Sequence, residues 1–411
     1  MRAIIALASL SAGALHATAS RLPAQQRLLG ERTLGGASTI EAVRFGGAGL
    51  QAGDLADSDS SRVRRVVQVA LPISAAVTLG GGWRMDITSL VASGRVTFVD
   101  PRGVEQSATL AGVSDVRVRA TGKLWSDALL VTVGANAPTG RTSLDGGQFG
   151  ALRVLAAPAL GLGSSPVGSG PSGTIGMVYA RQAAAWTTAI GVSVEYRGRF
   201  QPVAALVAGA PSIDFQPGSV LRGSFSADRL IGRHRLHLST SADVFAQDRL
   251  RDGGVNASTG PAALTTVRLG PVLSTDLQID WAAPRLREFV TYSSYRFRAP
   301  YARDGRTVTD SEGQYLEGGA RIAAPIARAT DLVAGLDARW HSGLGIDRGL
   351  PGAGVTSALA LLGLRVRAGR FSLQPYLRGQ AGSVRVRGTT TPLAAQPFTG
   401  ATAGLILVSR F

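Results

Sequence analysis

Past residue 20 the chain carries three histidines, His234, His237 and His341, the side chains best suited to moving protons near neutral pH. Hydrolytic chemistry would need one of them beside a serine or a carboxylate, and such partners need not be close in sequence. Neither a G-x-S-x-G nor an H-E-x-x-H pattern is present to place a nucleophile or a catalytic metal. Cysteine is absent, which removes thiolate nucleophiles, thiolate metal sites and disulfides. Asp54, Asp57 and Asp59 lie close together but lack the glycine and the terminal glutamate of a calcium loop. The expectation is a chain with no catalytic residues, no cofactor and no metal centre, its histidines hydrogen-bonded in polar surroundings.

The remaining candidates are charged residues, and their spacing says what positions them. In 331–340, Leu332, Ala334, Leu336, Ala338 and Trp340 alternate with Asp331, Asp337 and Arg339. In 273–281, Leu273, Leu277, Ile279 and Trp281 alternate with Ser274, Asp276, Gln278 and Asp280. From 235 onward, Leu236, Leu238, Ala242 and Val244 oppose Arg235, His237, Ser239, Ser241 and Asp243. Between 115 and 125, Val116, Val118, Ala120 and Leu124 oppose Asp115, Arg117, Arg119 and Lys123, and Phe371, Leu373 and Leu377 oppose Ser372, Gln374, Arg378 and Gln380. A period of two is a strand with one apolar and one polar face. A soluble sandwich would bury larger apolar residues and rarely put so many Asp and Arg opposite them. Strands of a membrane barrel alternate in this way, apolar towards lipid and polar towards a wet lumen. The candidate lumen-lining residues are therefore Asp115, Arg117, Arg119, Arg235, His237, Asp243, Asp276, Glu317, Arg321, Asp337, Arg339 and Arg378. Near-balance of the two signs predicts paired charges that narrow a pore, not a ring of one sign.

Connection lengths carry a second signal. Short turns are predicted near Pro72, Ser126, Ala183, Ile231, Ala283, Ile326 and Ala368, and longer Gly-, Pro- and Asp-rich segments lie between them, such as 248–261, 299–312 and 385–397. Short turns on one rim and long loops on the other are the plan of an antiparallel up-and-down transmembrane β-barrel. Seven short turns join fourteen strands. A first strand over 38–46 and a last over 398–411 bring the number to sixteen; fourteen is the fallback if 95–100 is only a loop hairpin. The longest loop, 138–173, has an apolar centre with Phe149, Leu152, Val154, Leu155, Leu160 and Leu162. Such a segment must fold into the barrel mouth, pack against other loops such as 200–217, or prolong neighbouring strands above the membrane.

The two ends agree with export to a membrane. Met1 and Arg2 precede an apolar stretch from Ala3 to Ala17, and Ala17-Thr18-Ala19 forms a small-x-small cleavage site. The stretch is too short and too interrupted to span a bilayer as a helix. The expected organisation is a leader over 1–19, a periplasmic segment over 20–37 and a barrel over 38–411. A start a few residues later, at Pro23-Ala24-Gln25, is a weaker alternative. Without the leader about 390 residues remain, enough for two or three small domains or one large barrel, and no domain boundary is visible. The net charge is +16, with Lys123 the only lysine among 43 basic residues, but the arginines are scattered singly and form no nucleic-acid patch.

The chain ends TAGLILVSRF, with Ala403, Leu405, Leu407, Ser409 and Phe411 on one face. This resembles the C-terminal signal that marks outer-membrane barrels for assembly, Ser409 departing from the usual aromatic or aliphatic residue. Leu405, Leu407 and Phe411 would carry it, and Phe411 is expected to be needed for assembly. Gly112-Val113-Ser114-Asp115 opens one strand and Ala137-Pro138-Thr139-Gly140 closes the next. The pair resembles the GlgD…PTG hairpin of the meta-pathway phenol-degradation transporter family, which is similar in turn to long-chain fatty-acid transporters. The resemblance implies passage of small hydrophobic or aromatic molecules across the outer membrane of a Gram-negative-type bacterium. Alternatives are a general diffusion porin, a barrel enzyme such as a lipid hydrolase or protease, and a structural or adhesive barrel. Expected partners are outer-membrane lipid, an unidentified small-molecule substrate and, during biogenesis, periplasmic chaperones and the barrel-assembly machinery; nucleic acid is not among them.

Overall fold

The computed structural model describes residues 33–46, 50–51, 62–100, 102–124, 126–155, 162, 167–183, 185–203, 213–251, 264–309, 311–342, 354–385 and 395–410. The leader with Ala17 and Ala19, the Asp54–Asp57–Asp59 group, Leu160 and Phe411 lie outside these residues, as does the side chain of Phe149.

The chain begins with β1 (Thr33–Phe45), β2 (Leu50–Gln51), β3 (Arg62–Gly80), β4 (Trp83–Val99), β5 (Glu105–Val113), β6 (Val116–Leu124) and β7 (Ser126–Ala137). The helix α1 (Gly146–Leu155) follows, then β8 (Ser172–Ala183), β9 (Trp186–Arg197), β10 (Phe200–Val203), β11 (Ile213–Gln216), β12 (Val220–Ile231) and β13 (His234–Phe245). Next come β14 (Asp248–Arg251), β15 (Leu264–Arg268), β16 (Val272–Asp280), β17 (Glu288–Arg298), β18 (Ala302–Arg303) and β19 (Arg306–Thr307). The last five are β20 (Gly313–Ala327), β21 (Thr330–Ser342), β22 (Gly354–Ala368), β23 (Phe371–Arg385) and β24 (Gln396–Arg410). β5 and β6 both pair with β4 and form one wall strand interrupted at Ser114 and Asp115. Each wall strand pairs antiparallel with its neighbours, and β1 pairs with β24 from Thr33↔Arg410 to Phe45↔Phe398. The result is a closed sixteen-stranded antiparallel barrel. Closure leaves no open edge in the wall, which is what lets strands cross a bilayer.

The alternation sorts the faces as read from the sequence. Ile40, Val69, Ile73, Ile190, Val192, Leu336, Leu362 and Leu377 are exposed on the outside, as are Leu405 and Leu407, while Gln68, Asp243 and Asp337 on the opposite face are buried. Aromatic residues mark both rims: Trp83, Trp186, Trp281 and Phe371 near the short turns, Tyr196, Tyr295 and Trp340 near the long loops. On β9, Trp186 and Tyr196 are ten residues apart, which at ~3.3 Å per residue and a tilt of about 40° gives roughly 25 Å, the height of a barrel's lipid-facing band.

Three boundaries differ from the sequence reading. Pro72 is not at a turn; it lies inside β3 in register with Leu90, and the turn is the Gly80-Gly81-Gly82 run, all at positive φ that favours glycine. Residues 95–99 belong to a continuous β4 paired with both β3 and β5, so the fourteen-strand fallback is excluded. β1 begins at Thr33, five residues before the expected start.

Above the long-loop rim, β10, β11, β14, β15, β18 and β19 form a second antiparallel sheet in the same circular order as the wall strands they continue. The two sheets meet at bends such as Pro217-Gly218-Ser219 and Leu269-Gly270-Pro271, bridged by Ala246 N–H to Ser219 O and Ala299 N–H to Pro271 O.

Candidate functional site

The long connection after β7 folds into the barrel. Its helix α1 starts with a reciprocal cap: Gln148 N–H donates to Asp145 Oδ1 at 2.8 Å, and Asp145 N–H donates to Gln148 Oε1 at 3.3 Å. Ala151, Leu152, Val154 and Leu155 are fully or nearly buried, together with Leu144 and Leu162. They form one apolar cluster with Val43 and Phe45 of β1, Val63 and Val66 of β3, Val96 of β4, Leu110 of β5, Val355 of β22, Val384 of β23 and Phe398 of β24. All of these wall residues point inwards. The helix is thus packed against one arc of the lumen wall. Gly94, inward-facing on β4, makes room for it: a Cβ there would lie 2.5 Å from Leu155 Cδ1.

Both ends of the loop are held by one carboxylate. Asp115 accepts from Asn136 Nδ2 at 2.9 Å, Gly140 N–H at 2.9 Å, Ser169 N–H at 2.6 Å and Ser169 Oγ at 3.2 Å. Gly140 and Gly168 press backbone to backbone, a Cβ on Gly140 falling 2.7 Å from Gly168 Cα. Thr139 Oγ1 accepts from Val116 N–H at 3.0 Å, and Ser114 Oγ accepts from Leu90 N–H at 3.0 Å. The Gly-Val-Ser-Asp and Pro-Thr-Gly segments therefore meet as a clamp that seats the loop. Asp115 does not line a wet lumen: it is 3% exposed and sits inside this clamp. A carboxylate held by several donors replaces the water it loses on burial, which a period-two pattern cannot reveal.

The other expected lumen residues face inwards in short cross-strand contacts. Arg339 Nε lies 3.2 Å from Glu317 Oε2, and Tyr315 Oη also donates to Glu317. Asp337 accepts from Tyr292 Oη, whose ring lies under the Arg321 guanidinium at 5.5 Å. Asp276 accepts from Ser294 Oγ at 2.5 Å. Among the expected set only Arg339 and Glu317 pair with each other. Asp243 is held by Arg222 through contacts of 2.6 and 2.9 Å, Arg235 by Asp228 at 2.7 Å, Arg378 by Glu41 at 2.8 Å, and Arg119 approaches Asp86 at 3.5 Å. Arg117 is inward beside Asn136 in the register. Arg222, Asp228, Glu41 and Asp86 were missed, although each sits on the polar phase of its own strand and could have been found by extending the alternation.

The histidines stand apart. His234 Nδ1 accepts from Ala282 N–H at 3.0 Å beside Trp281, His237 Nδ1 lies 3.5 Å from Asp228, and His341 stacks edge-on against Tyr315.

Across the lumen from α1, the wall of β8, β9, β12, β13 and β16 presents small and polar residues. A recess of about 290 Å³ opens there, lined among others by Val178, Ala189, Gly191, Ser224, Ser239 and Asp276. Above this arc, Asp248 of β14 is buried, accepting from Gly218 N–H at 2.6 Å with Arg197 Nη2 at 3.5 Å. Burial pushes its carboxyl up to about 6, against the opposing pull of Arg197 and the Gly218 amide.

No family model matches the chain, and no curated protein matches it. Among solved structures it is similar to OprB of Pseudomonas putida at low pH, with 10% identity over 97% of this chain and 96% of that one and a TM-score of 0.44. It is similar to the outer-membrane protein OmpT of Vibrio cholerae, with 9% identity over 92% of this chain and 97% of that one and a TM-score of 0.40. A deletion mutant of the TodX monoaromatic hydrocarbon channel aligns at 10% identity over 95% of this chain and 93% of that one, with a TM-score of 0.42.

Proposed function

We propose that this barrel is an outer-membrane channel for small hydrophobic or aromatic molecules, of the kind the GlgD…PTG-like hairpin points to. The observation that carries the reading is the inward-folded loop, which is clamped at both ends and whose apolar helix packs on one arc of the wall. A general porin needs a wide wet lumen. Here one arc is occupied by aliphatic side chains, and most of the described charges on the rest of the wall are bound to neighbours, which lowers the field an ion would feel. An uncharged solute can pass along such a wall without losing strong hydration. The reading includes export by a leader cleaved after Ala19 and no catalytic step.

The test combines bilayer recording with uptake of an aromatic hydrocarbon by cells or liposomes. The intact protein is expected to show low or flickering conductance, and deletion of residues 149–162 is expected to reduce hydrocarbon uptake. Large, stable, ohmic conductance in the intact protein, with uptake unchanged in the deletion, would establish the porin reading instead.

A further inference from the structure

The second sheet carries a positive surface directly above the outward apolar band. On β14, Asp248 and Leu250 are buried while Arg249 and Arg251 are exposed; on β15, Thr265 and Val267 are buried while Arg268 is exposed. The buried side continues the inner face of the barrel, since Phe245 and Asp248 are both buried, and Phe200 of β10 lies against Gly170 of the clamped loop. The exposed side therefore continues the lipid-facing surface. Val244 to Arg249, and Leu273 to Arg268, are each five residues apart across a bend, so these two arginines stand at most about 16 Å beyond the exposed aliphatic residues of the wall at ~3.3 Å per residue, with the exposed Leu264 of β15 opposite Arg251.

The register concentrates them. Arg249 is opposite Thr266, so Arg268 is its diagonal neighbour on the same face, and Arg251 is two residues along β14. Side chains in these relations stand roughly 7–8 Å apart. Arg199 joins the patch and binds Asp214, which faces Arg251 in the register. At the edge, Asp304 accepts from Thr266 N–H and approaches Arg303 at 3.6 Å. Among the described residues, Arg249, Arg251 and Arg268 have no carboxylate partner.

We infer that Arg249, Arg251 and Arg268 form a docking surface for a phosphate-bearing glycolipid of the outer leaflet. The acyl chains would lie on the aliphatic surface beneath, below the rim marked by Tyr196 and Tyr295, while the sugar phosphates reach the guanidinium groups. Phosphate suits the site because a guanidinium offers two parallel N–H donors matching two phosphate oxygens. Three such groups within one headgroup's span fit a ligand with two phosphates better than a lipid with one.

The purified full-length barrel is mixed in detergent with diphosphorylated lipid A, enzymatically dephosphorylated lipid A or phosphatidylglycerol, and bound lipid is counted by native mass spectrometry. Wild type is expected to prefer the diphosphorylated lipid by about tenfold or more and to lose that preference as salt is raised. The triple variant Arg249→Ala/Arg251→Ala/Arg268→Ala, checked for heat-modifiable folding, should lose the preference; Arg268→Ala alone should lose part of it, which keeps the test decisive if the triple variant fails to fold. Undiminished preference in the folded variants, or equal binding of the dephosphorylated lipid by wild type, overturns the inference. So does displacement of the lipid by millimolar inorganic phosphate, or equally tight binding of a soluble sulfated polysaccharide.

Discussion

Two arcs of the same wall obey the same alternation and end up with opposite characters. On β1, β3, β4, β5 and the upper parts of β22 to β24, the inward positions hold Val, Leu and Phe, and α1 covers them. On β8, β9, β12, β13 and β16 they hold Gly, Ala, Ser and Thr with a few bound charges, and a recess remains. The first arc is filled because its apolar side chains would otherwise face lumen water, and the loop's own apolar residues had the same need. The second arc needs no cover, since hydroxyls are content in water. An asymmetric lumen follows, and on the proposed reading the passage runs on the side of small residues.

Removing the clamp should break this contrast most severely. Asp115→Ala leaves the amides of Gly140 and Ser169 without their acceptor, while Asn136 keeps Gly170 O, a loss of roughly 3–5 kcal/mol for a buried hydrogen-bonded hub. The loop should leave the wall and bilayer conductance should rise several-fold, with the barrel still heat-modifiable; unchanged conductance would mean that the helix is held by packing alone. Leu155→Ala attacks that packing directly and should cost about 2–4 kcal/mol, read as a lower melting temperature in detergent with conductance intermediate between wild type and Asp115→Ala.

Two further variants sharpen the comparison from the open side. Asp248 binds its proton more tightly in the folded sheet than an ordinary carboxyl, so its contribution to stability is fullest below about pH 4 and declines as pH rises towards 6. Asp248→Asn should flatten that decline, which is expected at roughly 1–3 kcal/mol from the shift in binding. Melting wild type and variant in parallel between pH 4 and 7 checks it, and parallel curves would refute it. Ser224→Leu should change stability by less than about 1 kcal/mol, as an exchange on a roomy wall, yet reduce aromatic uptake measurably. Equal uptake would move the passage away from this arc.

Much of the wall was legible from residue types alone. The phase of Leu332 to Trp340 against Asp331 to Arg339 fixes which side meets lipid, because side chains must alternate along any strand whatever its neighbours. The turn at Gly80 to Gly82 was misplaced onto Pro72, because proline removes a ladder N–H. Here the register with β1 skips from Gly36↔Ile73 to Thr39↔Ala70, while pairing with β4 runs on through Pro72 and keeps the strand whole. Asp145 and Gln148 did announce a helix in the long loop, at the spacing a reciprocal cap requires, but the apolar run after them hid it among strand-like segments. Lumen charges were found by phase, yet apart from Arg339 and Glu317 their partners were not, because ion pairs form across strands and depend on the register between them.

What the chain's order of residues determined is local and periodic: strands, their two faces, short turns against long loops, and an apolar loop centre that must find cover. What only the tertiary structure decided is the meeting of distant pieces. Asp115, Asn136, Gly140 and Ser169 come from a strand kink and both ends of a loop, and nothing in their spacing requires that they share one hydrogen-bonded hub. Likewise β1 and β24, more than 350 residues apart at Thr33 and Arg410, become neighbours only because an unpaired strand edge is too costly in lipid.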